Sequence, residues 1–222
     1  MLQERAGTLR PVSYPSDPRL LVLHGLRLKG VADVAALAGA TGLDGDRVAG
    51  ELAALAEAGL AIERTGALAG WALTPAGRAE DQRAVRDEVD AAGARATVTG
   101  AYERFRALNA GVLDACSRWQ VRNVGGRLVR NDHRDKAYDG AVVADLARLN
   151  EQAEAVVEQL AGALDRYATY GYQLRRAVEK VEAGEGDWFA KPTFPSFHSV
   201  WFELHEDLLT TLGIERSDEA AS

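Results

Sequence analysis

Apolar positions recur at helical spacing from the first ordered-looking stretch of the chain. Behind the turn Tyr14-Pro15-Ser16-Asp17-Pro18, Leu20, Leu21, Leu23 and Leu26 predict a first helix. Asp17 is placed to cap it, Pro18 to occupy its first position, and Gly30 to close it. A short second helix is expected over 32–40, with Val34, Leu37 and Ala38 inward, and Thr41-Gly42-Leu43 reads as a tight turn. A third helix begins at Asp44 or Asp46 and runs to Ala58, with Val48, Leu52 and Leu55 on one face and Gly59 as its stop. The pattern then becomes that of a hairpin. Leu60-Ala61-Ile62 starts a strand, residues 63–70 make a glycine-bounded tip, and Trp71-Ala72-Leu73-Thr74 returns to Pro75. The next helix is expected near Ala76.

The remaining chain reads as helical over 76–122, with an interruption at Gly93, and again from Ala141 onward. Val142, Leu146, Leu149, Ala153, Val156, Leu160 and Leu164 step by threes and fours, and Leu174, Val178 and Val181 continue the rhythm. This predicts one helix of about forty residues or two joined between 168 and 171. Its stripe could join two chains or form an antiparallel pair within one. Residues 184–187 end it, and an aromatic, proline-marked connection through Trp188, Pro192, Thr193 and Phe194 follows. Ser196 then caps a last helix from Phe197 to Leu212, stopped by Gly213 and apolar around most of its circumference. On it, Glu203, Glu206 and Asp207 read as a solvated edge. His198 and His205, seven apart, read as core or interface histidines, because two helical turns hold them about 10 Å apart.

Charge changes this picture in one place. The net charge of −7 is uneven: −1 over 1–80, +2 over 81–139 and −8 over 140–222. The basic concentration lies from Arg118 to Lys136, with Arg122, Arg127, Arg130 and Arg134 around a Gly125-Gly126 pair and Asn131-Asp132-His133. It reads as an ordered loop or short hairpin. Its arginines either pair with the acidic helices that follow or meet an anionic ligand, for which Trp119, Arg122, Arg127, Arg130 and His133 are the candidate contacts. Trp119, Tyr167, Tyr170, Tyr172, Trp188 and Trp201 could line a pocket or fill the core. No apolar run reaches the length of a membrane span. Cys116 is the single cysteine, so no internal disulfide forms. A cytoplasmic location, no membrane partner, no metal and no cofactor are the expectations.

The stretch from Val34 through Gly59-Leu60, followed by Leu73-Thr74-Pro75-Ala76-Gly77-Arg78, resembles the winged helix-turn-helix of MarR-type transcription regulators over roughly residues 18–80. The resemblance implies a mainly α fold with a small β-wing. A winged helix-turn-helix domain would occupy 1–80 and a helical dimerisation or ligand-sensing domain with long helices 81–222. It further implies that the third helix enters the major groove of double-stranded DNA and that the wing touches phosphates or the minor groove. The positions concerned are Asp44, Asp46, Arg47 and Gly50 on the helix and Arg64 and Thr65 on the wing, with Arg10, Arg19, Arg27 and Lys29 as flanking phosphate contacts. A homodimer with a small-molecule effector follows from the same likeness, and the excess of arginine over lysine, 22 to 4, points to a high-GC bacterial genome.

Asp44, Asp46, Glu51 and Glu57 stand against a single arginine on that helix, so a module that docks on a protein and not on DNA is the rival reading. The sequence carries no nucleophile elbow, phosphate-binding glycine loop or zinc-protease motif, so an enzyme is not expected. An acid–base trio of Asp132, His133 and Asp135 is the one enzymatic alternative.

Overall fold

The computed structural model describes residues 13–66, 69–192 and 194–216; Arg10, the hairpin-tip residues 67 and 68, and Thr193 lie outside them. The fold is mostly helical, with two small antiparallel hairpins. Helix α1 (Pro18–Lys29) starts where Asp17 accepts the Arg19 N–H at 2.8 Å, and it ends at Gly30. Helix α2 (Val34–Thr41) is capped by Asp33 and α3 (Gly45–Glu57) by Asp44. Ala32, expected inside the second helix, instead exchanges two backbone hydrogen bonds with Trp71, at 3.0 and 2.7 Å. It thereby extends the hairpin formed by β1 (Ala61–Arg64) and β2 (Gly70–Leu73). Glu63, Arg64 and Gly70, expected at the tip, belong to these strands.

Residues 73–78 close this unit through one side chain. The Thr74 hydroxyl donates to the Gly59 carbonyl at 2.8 Å and accepts from the Gly77 N–H at 3.0 Å. Helix α4 (Pro75–Ala91) therefore starts against Gly59 and Leu60, the turn that follows α3, with Pro75 at its first position. A Cβ on Gly77 would lie 2.0 Å from the Leu60 carbonyl oxygen, and backbone cannot yield as a side chain can. Gly77→Ala is expected to cost about 3 kcal/mol in urea unfolding, the upper range for overpacking. A loss below about 1 kcal/mol would show that the contact relaxes.

Helix α4 runs through the expected boundary at 80/81 without a break. Helix α5 (Arg95–Gln120) follows, then a second hairpin of β3 (Val121–Val124) and β4 (Arg127–Arg130), and α6 (Lys136–Ala163). Gly125 and Gly126, at φ 59° and 84°, make the two-residue turn that suits the twist of such a ribbon. A one-turn 3-10 helix (Asp165–Tyr167) leads into α7 (Ala168–Glu182), α8 (Asp187–Ala190) and α9 (Phe197–Leu212).

The long apolar stripe is thus two helices, and the break falls at Leu164, earlier than residues 168–171. Its cause is remote in sequence. The Ala163 carbonyl accepts from Tyr14 N–H, and the Asp165 N–H donates to the Tyr14 carbonyl, each at 3.1 Å. These bonds hold Leu164 in extended geometry, while Gly171 continues inside α7. The stripe packs on α5, α7 and α9 of the same chain, so it is an intramolecular core.

Two apolar clusters result, one within residues 22–73 and a larger one within residues 89–209. Trp201 belongs to the larger, stacked on Phe105 with centroids 4.4 Å apart, and His205 packs beside the same ring. Among the described residues no helix is long and apolar enough to cross a membrane.

Candidate functional site

Helix α3 packs on α1, α2 and β1 and keeps Asp46, Arg47, Ala49, Gly50 and Ala53 exposed. The candidate residues on this face differ in what they have free. Asp44 accepts the Arg47 N–H at 2.8 Å, so its carboxylate caps the helix. The Arg47 guanidinium lies 3.0 Å from Glu51 one turn on. Gly50 is open, with nothing within 4 Å of where a Cβ would stand. Arg64 ends β1 and Thr65 follows it, both exposed; among the described residues no hydrogen bond or ion pair joins them to the α3 set. Of the flanking cations, Arg27 is exposed, Arg19 is half-buried, and Lys29 is engaged by Glu203 on α9 at 2.8 Å.

Between the two apolar clusters lies a buried set of charges that the sequence reading did not anticipate. Arg166, 7% exposed, donates from Nε to Glu88 at 2.7 Å and from Nη2 to the Thr211 hydroxyl at 2.7 Å, and its Nη1 bonds Asp207. Asp207, expected on a solvated edge, is 2% exposed and also accepts from the Tyr170 hydroxyl at 3.0 Å. His24 sits between Asp81, 2.9 Å from Nδ1, and Asp207, 3.3 Å from Nε2. Burial alone would lower the His24 pKa, but the two carboxylates outweigh it and raise it to about 9. Burial pushes the Asp207 carboxyl up, and Arg166 and His24 overcome this and hold it far below the usual carboxylate range. Helices α1, α4, α7 and α9 meet through these side chains. In the sequence Asp207 stands beside Leu204, Leu208 and Leu209, but Glu203 and Glu206 next to it make the three acids read as one solvated edge.

The third feature is a groove of about 1510 Å³ beside the second hairpin, walled by the end of α5, the start of α6, the end of α7, residues between 184 and 192, and Phe194. Trp119, Arg130 and His133 line it, as does Trp188. Arg122 and Arg127 do not. Arg122 pairs with Asp135 at 2.9 Å and lies over the Tyr138 ring, and Arg127 stands exposed on the hairpin. Arg118 pairs with Asp114 and with Asp145 of α6. Of the remaining aromatic candidates, Tyr167 and Tyr170 belong to the buried charge set and Tyr172 is exposed.

His133 is held in the groove wall by an unusual backbone. It has φ 57°, the only positive value for a non-glycine among the described residues. The buried Asn131 amide donates to the Trp119 carbonyl at 3.1 Å and to Asp139 Oδ1 at 2.7 Å, while its carbonyl accepts the His133 N–H. Both amide protons are therefore engaged, and His133 Nδ1 is left to donate to Asp139 Oδ2 at 3.2 Å. The imidazole rests on Trp119 with centroids 4.4 Å apart, and Trp119 stacks on Phe189. The trio Asp132, His133 and Asp135 is not brought together. Asp135 caps α6 and binds Arg122, and Asp132 faces Arg134 at the surface. The carboxylate on His133 is Asp139, which sequence spacing alone did not single out.

No protein-family model matches the chain, and neither a curated protein nor a solved structure is significantly similar to it.

Proposed function

We propose that this chain is a DNA-binding transcription regulator, in which residues 18–80 form a winged helix-turn-helix that presents α3 to the major groove and the β1–β2 hairpin to the flanking backbone. The observation that carries this reading is the placement of α3. Helices α1 and α4 are engaged by α9, whereas α3 packs within its own unit and leaves Arg47 and Gly50 outward. The order of helix, helix, turn, helix and hairpin, closed by Thr74 and Gly77, supports the same assignment. As a homodimer the chain would set two such helices about 34 Å apart, one turn of duplex. The pairing surface lies outside the stripe from 142 to 181, because that stripe is filled by the chain's own helices.

A second reading, docking onto a protein, draws on the Arg47–Glu51 pair and on the small outer residues Ala49, Gly50 and Ala53, which admit close packing. Mobility shift with duplex from the gene's own upstream region, at two salt concentrations, separates the two. Regulator function requires affinity that falls steeply with salt. Arg47→Ala is expected to weaken binding about tenfold and to relax sequence preference. Arg64→Ala is expected to weaken all duplexes alike and to flatten the salt dependence. Absence of any complex at low salt refutes DNA binding and leaves protein docking. Light scattering on the free chain tests the dimer.

A further inference from the structure

The groove beside the second hairpin sorts its charges. Among the charged side chains that line it, Glu185 is paired with Lys180, and Asp187 with Lys191. Asp139 is held by Asn131 and His133. Arg130 and Lys136, at the hairpin end, have no carboxylate within ion-pair distance among the described residues. Among the described residues, Glu182 at the end of α7 is the one lining acid without an ion pair. The unpaired cations of this lining are thus Arg130 at the end of β4 and Lys136 at the start of α6, on either side of His133 in the chain.

The uncharged lining is largely apolar, with Trp119, Val143, Val181, Trp188 and Phe194 along it. A solvated surface loop needs neither an aromatic floor nor a left-handed histidine anchored by two buried polar residues. Such a conformation costs about 1–3 kcal/mol and persists where the surroundings over-determine it, commonly at ligand sites. Gly140, the groove residue one helical turn beyond Lys136, leaves open space where a side chain would stand.

We propose that this groove binds an organic carboxylate with an extended apolar body, its head at Arg130, Lys136 and His133 and its body along Trp119, Trp188 and Phe194. Two lining cations with no carboxylate partner among the described residues favour the negative head, and the apolar wall takes up the chain. The site is independent of any DNA contact by α3, so it can be tested on the protein alone.

Titration calorimetry of the full chain with dodecanoate, kept below its micellar concentration, provides the test. Dodecyltrimethylammonium and dodecanol serve as probes of head charge. Saturable one-to-one binding of dodecanoate is expected, at least tenfold tighter than either of the other two. The double variant Arg130→Ala, Lys136→Ala is expected to bind dodecanoate at least tenfold more weakly. Arg127→Ala, on the same hairpin but outside the groove, is expected to bind as the parent does. Gly140→Phe fills the groove without breaking a helical position and is expected to abolish binding while the circular dichroism spectrum stays unchanged. Failure of dodecanoate to saturate, equal binding of the cationic amphiphile, or full affinity in a folded Gly140→Phe protein would each overturn the proposal.

Discussion

Arg166→Met is expected to destabilise the fold by about 3–5 kcal/mol, the range for removing one partner from a buried ion cluster. The guanidinium neutralises Glu88 and Asp207 and hydrogen-bonds Thr211, all of them shielded from water. Methionine fills much of the same volume, so the loss is electrostatic more than steric. With the arginine gone, Glu88 loses the cation it faces, and Asp207 is left to His24, which Asp81 also shares, and to the Tyr170 and Thr211 hydroxyls. Lysine is not an adequate substitute, because one ammonium cannot reach Glu88, Asp207 and Thr211 in the directions the planar fork serves. Urea unfolding of the single variant measures the cost. Adding Asp207→Asn to Arg166→Met is expected to recover part of it, and the double-mutant cycle gives the coupling. A single-variant loss under about 1 kcal/mol would mean that water reaches the cluster. Because Glu88 lies on α4 and Asp207 on α9, the variant should also loosen the attachment of the N-terminal unit, seen as faster amide exchange in α1 and α4.

Stability should also fall as pH rises across the neutral range, unlike that of a protein whose histidines are exposed. In the folded chain His24 titrates at about 9 rather than 6.5, so folding favours its protonated form. The groups facing it are Asp81 from α4 and Asp207 from α9, with Arg166 bonded to the same Asp207. The stabilisation is complete below pH 6.5, decays from there to about 9, and is absent above. By linkage the difference amounts to as much as about 3 kcal/mol. The opposite branch comes from Asp207, whose carboxyl is held low. Its contribution is present above the ordinary carboxylate range and is lost when acid protonates it. Urea midpoints at pH 6 and pH 9.5 test the alkaline branch, and His24→Gln should be less stable at pH 6 and lack the slope. An equal slope in parent and variant would assign it to other groups.

Much of the local structure was legible in the sequence because it depends on near neighbours. Asp17 and Pro18, Gly59, and Ser196 and Gly213 each act within a few residues of themselves, and all stand where helix starts and stops were expected. Thr74 and Gly77 could be read as a motif, but the reason for the glycine emerged only when Leu60 was placed against it. The candidate site was legible in part. Trp119, Arg130 and His133 meet in one groove, whereas Arg122 turns to Asp135 and Tyr138. A run of arginines in sequence does not say which of them finds a carboxylate.

The sequence by itself determined the helical character, the capped ends, the glycine-bounded hairpin after α3 and the uneven charge, since periodicity and capping are short-range. Tertiary structure alone decided where the long stripe divides, because Tyr14 reaches Leu164 across about 150 residues of chain. It also decided that Asp207 is buried. An aspartate on an apolar helix can face water or an ion partner, and that choice rests on Arg166, His24 and Tyr170 arriving from other helices. The basic segment was visible as charge, yet which of its cations pair with carboxylates (Arg118, Arg122 and Arg134) and which line the groove unpaired (Arg130 and Lys136, among the described residues) was set by tertiary packing.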